Sequence, residues 1–201
     1  MISEGFRLPV RLALVSFLAV VIQVAGVSQI SIFGVSADIT PLVAMSVGLL
    51  CGSMLGAVTG FGIGLLVDMV LLQTLGVTSL LYITIGYWSG RLRELRDPAH
   101  TLVPLALGAA ATAFAGIGMA LMQFLLGVDA PVSLLLAQQI FITVLVNTLL
   151  ALPVYGIVAR IIRPALPEDP RRRRRRAYTT GGLSPLHRPS ERLGPISRSA
   201  R

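Results

Sequence analysis

The chain has no lysine, a single cysteine and two histidines, and only 13% of its 201 residues are charged. Each scarcity removes a class of function. A lone Cys51 cannot close an intrachain disulfide, and His100 and His187, one in a loop and one in a tail, cannot assemble a metal site. No nucleotide-binding Gly-Lys loop, no HExxH and no GxSxG occurs. Acid–base work needs a tuned pair and nucleophilic work needs a base beside the nucleophile, and neither arrangement is visible. No enzymatic activity, metal or cofactor is therefore expected. That all basic residues are arginine fits a GC-rich coding bias and carries no functional weight.

Apolar residues, by contrast, are plentiful. They make up 54% of the chain, with a mean hydropathy of +0.80, more than a soluble globule of this size carries. The charges collect in short clusters with long charge-free stretches between them, which points to the bilayer as solvent. Leu12 to Ala37 carries no charge, and twenty helical residues at 1.5 Å each already cross a ~30 Å hydrocarbon core. Arg7 and Arg11 before this run, and Val35-Ser36-Ala37 near its end, resemble a cleaved signal peptide. The run is too long for one, and more apolar segments follow.

From Ile39 to Gly90 the only charge is Asp68. The turn residues predict three helices here, at 39–51, 54–72 and 76–90, the first short for a crossing and so tilted or partly re-entrant. A polar loop with Arg91, Arg93, Glu94, Arg96, Asp97 and Pro98 closes this unit. Two more runs follow, Leu102 to Leu126 and Val132 to Ala159, parted by Gly127 to Pro131. The expected fold is an all-α membrane protein with a six-transmembrane-helix bundle over residues 1–163 and a disordered Arg/Pro-rich cytoplasmic tail over 164–201.

Charge supplies the expected orientation. With both termini cytoplasmic, Arg7, Arg11, Arg91, Arg93, Arg96, Arg160, Arg163 and the tail lie inside, and Asp38, Asp68 and Asp129 lie at or near the outer face. Tyr87 and Trp88, just before Arg91, suit the cytoplasmic headgroup boundary. The net charge of +8 comes mostly from the tail, where Arg171 to Arg176 are consecutive. Nucleic acid is a conceivable partner for such a run. Beside a membrane span it reads instead as a topology signal near anionic lipid headgroups, so lipid and not nucleic acid is expected.

Gly48, Gly52, Gly56, Gly60 and Gly64 recur every four residues, and Asp68 continues the series. Positions i and i+4 share a helix face, so Gly52 to Gly64 leave a groove where another backbone can approach closely. The groove is read as packing mostly against the chain's own helices, with part of it open to a partner's span. Asp68 is the only ionisable residue well inside an apolar run. It lies about fifteen residues, or roughly 22 Å, from the Cys51 turn, near the outer boundary. Its expected partners are Gln73, Thr74 and backbone amides, in an interfacial capping role. Gln139, Thr143 and Asn147 form a second polar stripe, expected to face the bundle interior. Pro153, in the same helix, is expected to kink it.

Ala37-Asp38-Ile39-Thr40-Pro41, followed by Gly52, Gly56, Gly60-Phe61, Gly64-Leu65, Asp68, Gly76 and Gly86-Tyr87, resembles the rod shape-determining protein MreD family over roughly residues 8–163. In that family an acidic residue shortly before a proline opens the second span, matched by Asp38 and Pro41. Its glycine-studded third span carries Gly-Phe and ends in Gly-Leu followed by an acidic residue. The resemblance implies a six-helix bundle like the substrate-binding subunits of energy-coupling-factor vitamin transporters. It implies a non-enzymatic, multi-pass subunit of the bacterial cytoplasmic membrane that docks an MreC-like protein. Through that partner it would meet a RodA-type glycosyltransferase, a class B penicillin-binding protein and the MreB filament in lateral peptidoglycan synthesis. Gly52, Gly56, Gly60, Phe61, Gly64 and Asp68 are the residues expected to serve helix packing or docking of that partner.

Two other readings share the bundle. A vitamin-binding subunit of an energy-coupling-factor transporter would carry an Ala-x-x-x-Ala face on its first helix, and none occurs between Leu12 and Gly34. A channel or exporter would draw on Asp68 and the Gln139 stripe, but isolated polar residues make a poor conduction pathway.

Overall fold

The computed structural model describes residues 2–26, 31–32, 35–95, 102–127 and 134–166, all within one compact unit, Met1–Leu166. Six α-helices make up almost all of it: α1 (Ile2–Ala25), α2 (Thr40–Cys51), α3 (Ser53–Val70), α4 (Val77–Leu95), α5 (Leu102–Leu125) and α6 (Leu134–Ile162). A 3-10 turn, Arg163–Ala165, follows α6. The remaining tail, with its arginine run, lies outside the described residues, as do Arg96, His100 and Asp129.

The first segment departs from its sequence expectation. The charge-free run from Leu12 to Ala37 is not helical throughout: α1 starts near the N-terminus and stops at Ala25, with Gly26 closing its last turn onto the Ile22 carbonyl at 3.0 Å. Two two-residue strands follow, β1 (Ser31–Ile32) and β2 (Val35–Ser36), paired antiparallel. The sequence from Val27 to Ser36 is rich in β-branched residues and serine, which are poor helix formers, so apolarity there does not imply helix. The later helices start and end within a few residues of the sequence expectation, except that α4 runs on through the arginines to Leu95. α6 continues through Pro153 as a single helix.

Among the described residues, four helices are long and apolar enough to cross a bilayer by length and composition: α1, α3, α5 and α6. α4 has the length at 19 residues but carries Arg91, Arg93 and Glu94 in its last turns. α2 has 12 residues and is about 18 Å long, well short of the hydrocarbon core. Its position explains its composition, since every residue from Thr40 to Leu50 is buried. α2 is the axis of the bundle. Leu42, Met45, Val47 and Leu49 fill the core, and the other helices present Val15 and Val20, Ile63, Leu81 and Ile85, Ala111, and Ala151 and Val158 to them. The outer faces carry exposed apolar residues, such as Leu14 and Phe17 on α1 and Met54, Val58 and Phe61 on α3. Such faces suit lipid.

The glycine series packs α3 against α4. A methyl group added at Gly64 would land on Ser79, one at Gly60 on the Tyr82 carbonyl, and one at Gly56 on the Gly86 carbonyl. A methyl group at Gly90 would meet the Gly52–Ser53 backbone. Backbone contact therefore persists over some 12 residues of each helix, or about 18 Å. Gly48 brings α2 into the same junction, because an added Cβ there would lie 3.1 Å from Gly90 N and one at Gly56 only 2.7 Å from Gly48 Cα. Lipid supplies no hydrophobic drive between helices, so this close contact is a main source of cohesion.

Candidate functional site

The polar side chains divide between the two ends of the bundle. At one end, arginines cover helix C-termini, where carbonyls lack intrahelical donors. Arg11 donates to the Ile161 carbonyl of α6 at 3.1 Å, and Arg93 donates to the Leu50 carbonyl of α2. Glu94 performs the opposite task at the start of α3, accepting from the Ser53 amide at 3.2 Å and the Ser53 hydroxyl at 2.7 Å. It also pairs with Arg91 at 2.9 Å. These bonds hold the carboxyl of Glu94 at about 2, below its ordinary value, with the Ser53 hydroxyl the largest cause and the Ser53 amide and Arg91 adding to it. The contacts place the N-terminal part of α1, the start of α3 and the ends of α2, α4 and α6 at this arginine-bearing end.

At the opposite end the segment Ala37–Ile39, between β2 and α2, gathers side chains from five helices. Gln23 of α1 donates to the Ala37 carbonyl at 3.0 Å and accepts from the Ile39 amide at 2.8 Å. Asn147 of α6 accepts from the Asp38 amide at 3.1 Å and donates to the Asp38 carbonyl at 2.8 Å. Two side-chain amides thus flank the segment much as neighbouring strands would, satisfying backbone groups that no sheet reaches. Asn147 is fully buried and also donates to Thr112 of α5 at 3.2 Å.

Asp38 itself opens α2. Its Oδ1 accepts from the Thr40 amide at 3.1 Å and the Thr40 hydroxyl at 2.6 Å. Pro41 stands in the first turn, where its missing N–H has no helical partner to lose. Tyr82 of α4 completes the cluster, its hydroxyl 2.7 Å from Thr40 Oγ1 and donating to Asp38 Oδ2 at 3.3 Å. Every polar group in this hub holds backbone or another hub residue. The work it performs is positioning.

Asp68 is the second acidic position at this end. Its Oδ2 accepts from the Gly76 amide at 2.8 Å, and its own carbonyl accepts from the Gln73 amide at 3.0 Å. Gly76 has φ +96, a conformation that only glycine adopts freely. Asp68 thereby ties the end of α3 to the start of α4, with a backbone amide as its side-chain partner and no bond to Thr74. Asp68 Oδ1 and the hydroxyls of Thr78 and Ser79 are buried and meet no hydrogen-bond partner among the described residues.

The other positions singled out from sequence separate. Gly56, Gly60, Gly64 and Gly86 line the α3–α4 contact, and Gly52 turns the chain between α2 and α3 with φ +98. Phe61 points away from that contact and is 47% exposed. The stripe on α6 does not share one environment. Asn147 is buried, whereas Gln139 is exposed and Thr143 hydrogen-bonds back to the Gln139 carbonyl at 2.9 Å. Spacing by four alone cannot tell where along its length a helix leaves its neighbours. Gln23, Tyr82 and Thr112 were missed by sequence reasoning. Their one signal was polarity within otherwise apolar runs.

The family model described as rod shape-determining protein MreD matches residues 5–161, from within α1 almost to the end of α6. The chain belongs to the MreD family. The matched region contains the whole Asp38 hub, the α3–α4 glycine contact and the Asp68 loop. MreD-family membership gives the chain a role in rod shape determination, as a multi-pass structural membrane protein of the rod-shape machinery. No curated protein and no solved structure matches the chain, so the expected likeness to energy-coupling-factor subunits has no structural comparison behind it.

Proposed function

We propose that the chain is a non-enzymatic subunit of the cell-elongation complex that docks an MreC-like protein and biases assembly of the peptidoglycan synthase. The match to the MreD family over residues 5–161 carries this reading. The hub and the α3–α4 contact support it, because they make a bundle fixed by backbone-level contacts, suited to hold a partner in one orientation. In this proposal the chain sits in the bacterial inner membrane with both termini cytoplasmic, the arginine-bearing end inside. Residues 1–163 form the membrane domain and 164–201 a separate tail. Contacts to the glycosyltransferase, the transpeptidase and MreB run through the MreC-like partner.

The glycine face of α3 is covered by α4, so the docking face proposed is the opposite side of α3, formed by Met54, Val58 and Phe61. A photo-crosslinking residue at Val58 or Phe61 should capture the MreC-like partner in membranes. One at Ile157, on the exposed side of α6, should not. Crosslinks from α6 with a silent α3 would move the interface, and none from either with normal insertion would refute docking. Tight binding of a vitamin by the purified protein would overturn the reading altogether.

A further inference from the structure

Between α4 and α5, with Met45 of α2 also lining it, lies a cavity of about 370 Å³ near the arginine-bearing end. It is within the size range of ligand sites. The walls are almost wholly apolar, with Ile85, Trp88, Leu92 and Phe114 prominent. Both hydroxyls in the wall are engaged by their own helix, Thr84 donating to the Leu80 carbonyl at 2.9 Å and Ser89 to the Ile85 carbonyl at 2.7 Å. A polar metabolite would give up water here and find little to replace it.

The dimensions narrow the occupant further. Along α4 the lining runs from Thr84 to Leu92, eight helical steps or about 12 Å. That is less than half of a ~30 Å hydrocarbon core. A partner helix crossing the bilayer needs a groove through its full depth, whereas a chain confined to one leaflet fits this one. Trp88, 59% exposed, stands at the rim, as an interfacial indole does. Beyond it come Arg91, with its side chain 52% exposed beside Glu94, and Arg93 on the Leu50 carbonyl. Among the described residues, Arg91, Arg93 and Glu94 follow Trp88 along α4, two positive charges to one negative, a balance that favours an anionic headgroup.

We propose that this cavity seats an acyl chain of an anionic phospholipid from the leaflet at the arginine-bearing end, with the headgroup beside Arg91. Trp88 is the only tryptophan in the chain, so its fluorescence reports on the site directly. The full-length protein is reconstituted in phosphatidylcholine vesicles doped with phosphatidylglycerol or phosphatidylcholine, each brominated on an acyl chain. The brominated phosphatidylglycerol should quench Trp88 at a roughly fivefold lower mole fraction. Arg91→Gln should bring the two curves together, which separates the site from any general attraction by the arginine run of the tail. Ala110→Phe, filling the cavity from α5, should remove the preference while leaving Arg91 in place. Equal quenching by both lipids would reduce the cavity to ordinary boundary lipid and overturn the proposal. So would a preference that survives both substitutions, or quenching lost when the MreC-like partner is bound, which would make a protein the occupant.

Discussion

Replacing Asn147 with leucine tests the hub most directly, because the shape is nearly kept while the hydrogen bonds are lost. Asn147 makes three bonds from a fully buried position, two to the Asp38 backbone and one to Thr112. Interhelical hydrogen bonds in membranes contribute about 0.6 kcal/mol each on average, since the unfolded chain also finds partners in lipid. Three of them give about 2 kcal/mol. The substitution also leaves the Asp38 amide and carbonyl without the partner that faces them, and an unsatisfied buried group costs roughly 1–3 kcal/mol. Counting one such penalty beside the lost bonds, the expected loss is about 3–5 kcal/mol, or roughly 150-fold to 4,000-fold in the unfolding equilibrium. Reversible unfolding in mixed detergent, followed by Trp88 fluorescence, measures it. Gln139→Leu, two turns away on the same helix but exposed, is the control and should change stability by less than about 0.5 kcal/mol. If Asn147→Leu proved as mild as Gln139→Leu, the claim that this amide holds the Asp38 segment would fail.

Other substitutions probe other contacts. Gly56→Ala places a methyl group on the Gly86 carbonyl and should prevent close α3–α4 packing, seen as loss of monodisperse protein in detergent. Gly62→Ala, on the same helix with no atom within 4 Å of its added methyl, should stabilise by up to about 1 kcal/mol through helix propensity, and loss of stability there would contradict the packing described. Leu72 has φ +52 just past α3, where the Gln73 amide returns to the Asp68 carbonyl, so Leu72→Gly should raise stability by about 1 kcal/mol in the same unfolding assay. Glu94 titrates at about 2 when folded against an ordinary 4.5, so its stabilisation is present above pH 4.5 and disappears as pH falls through 2. Glu94→Gln should therefore flatten thermal stability across that window, and an unchanged acid profile would show that the Ser53 contact contributes nothing.

Much of this fold was legible because a bilayer constrains a sequence severely. Charge-free runs and turn residues placed α2, α3 and α5 within a couple of residues, and the glycine period pointed to a packed face before any partner was known. Hydropathy misled at two places. The β-branched run after Ala25 is apolar enough for a span but poor in helix formers, so α1 ends early. α2 is apolar because protein surrounds it, and burial in protein and exposure to lipid leave the same composition. The hub was harder to see. Gln23, Tyr82, Thr112 and Asn147 are scattered over more than a hundred positions, and nothing in local spacing shows that all converge on Asp38 or its neighbours. Tertiary hydrogen bonds of this kind carry no periodicity. The Gln139 and Asn147 pair shows the converse, a regular spacing whose members meet different surroundings.

The enclosure of α2 has a consequence for how the protein is made. A twelve-residue helix with no side facing lipid gains nothing by leaving the insertion machinery alone, and it is too short to anchor itself across the bilayer. Gly52 joins it to α3 through a single residue, and α4 closes over both. Biogenesis must therefore deliver these three segments as one cooperative parcel, and a ribosome stalled before α4 emerges would hold a nascent chain with its centre still unhoused.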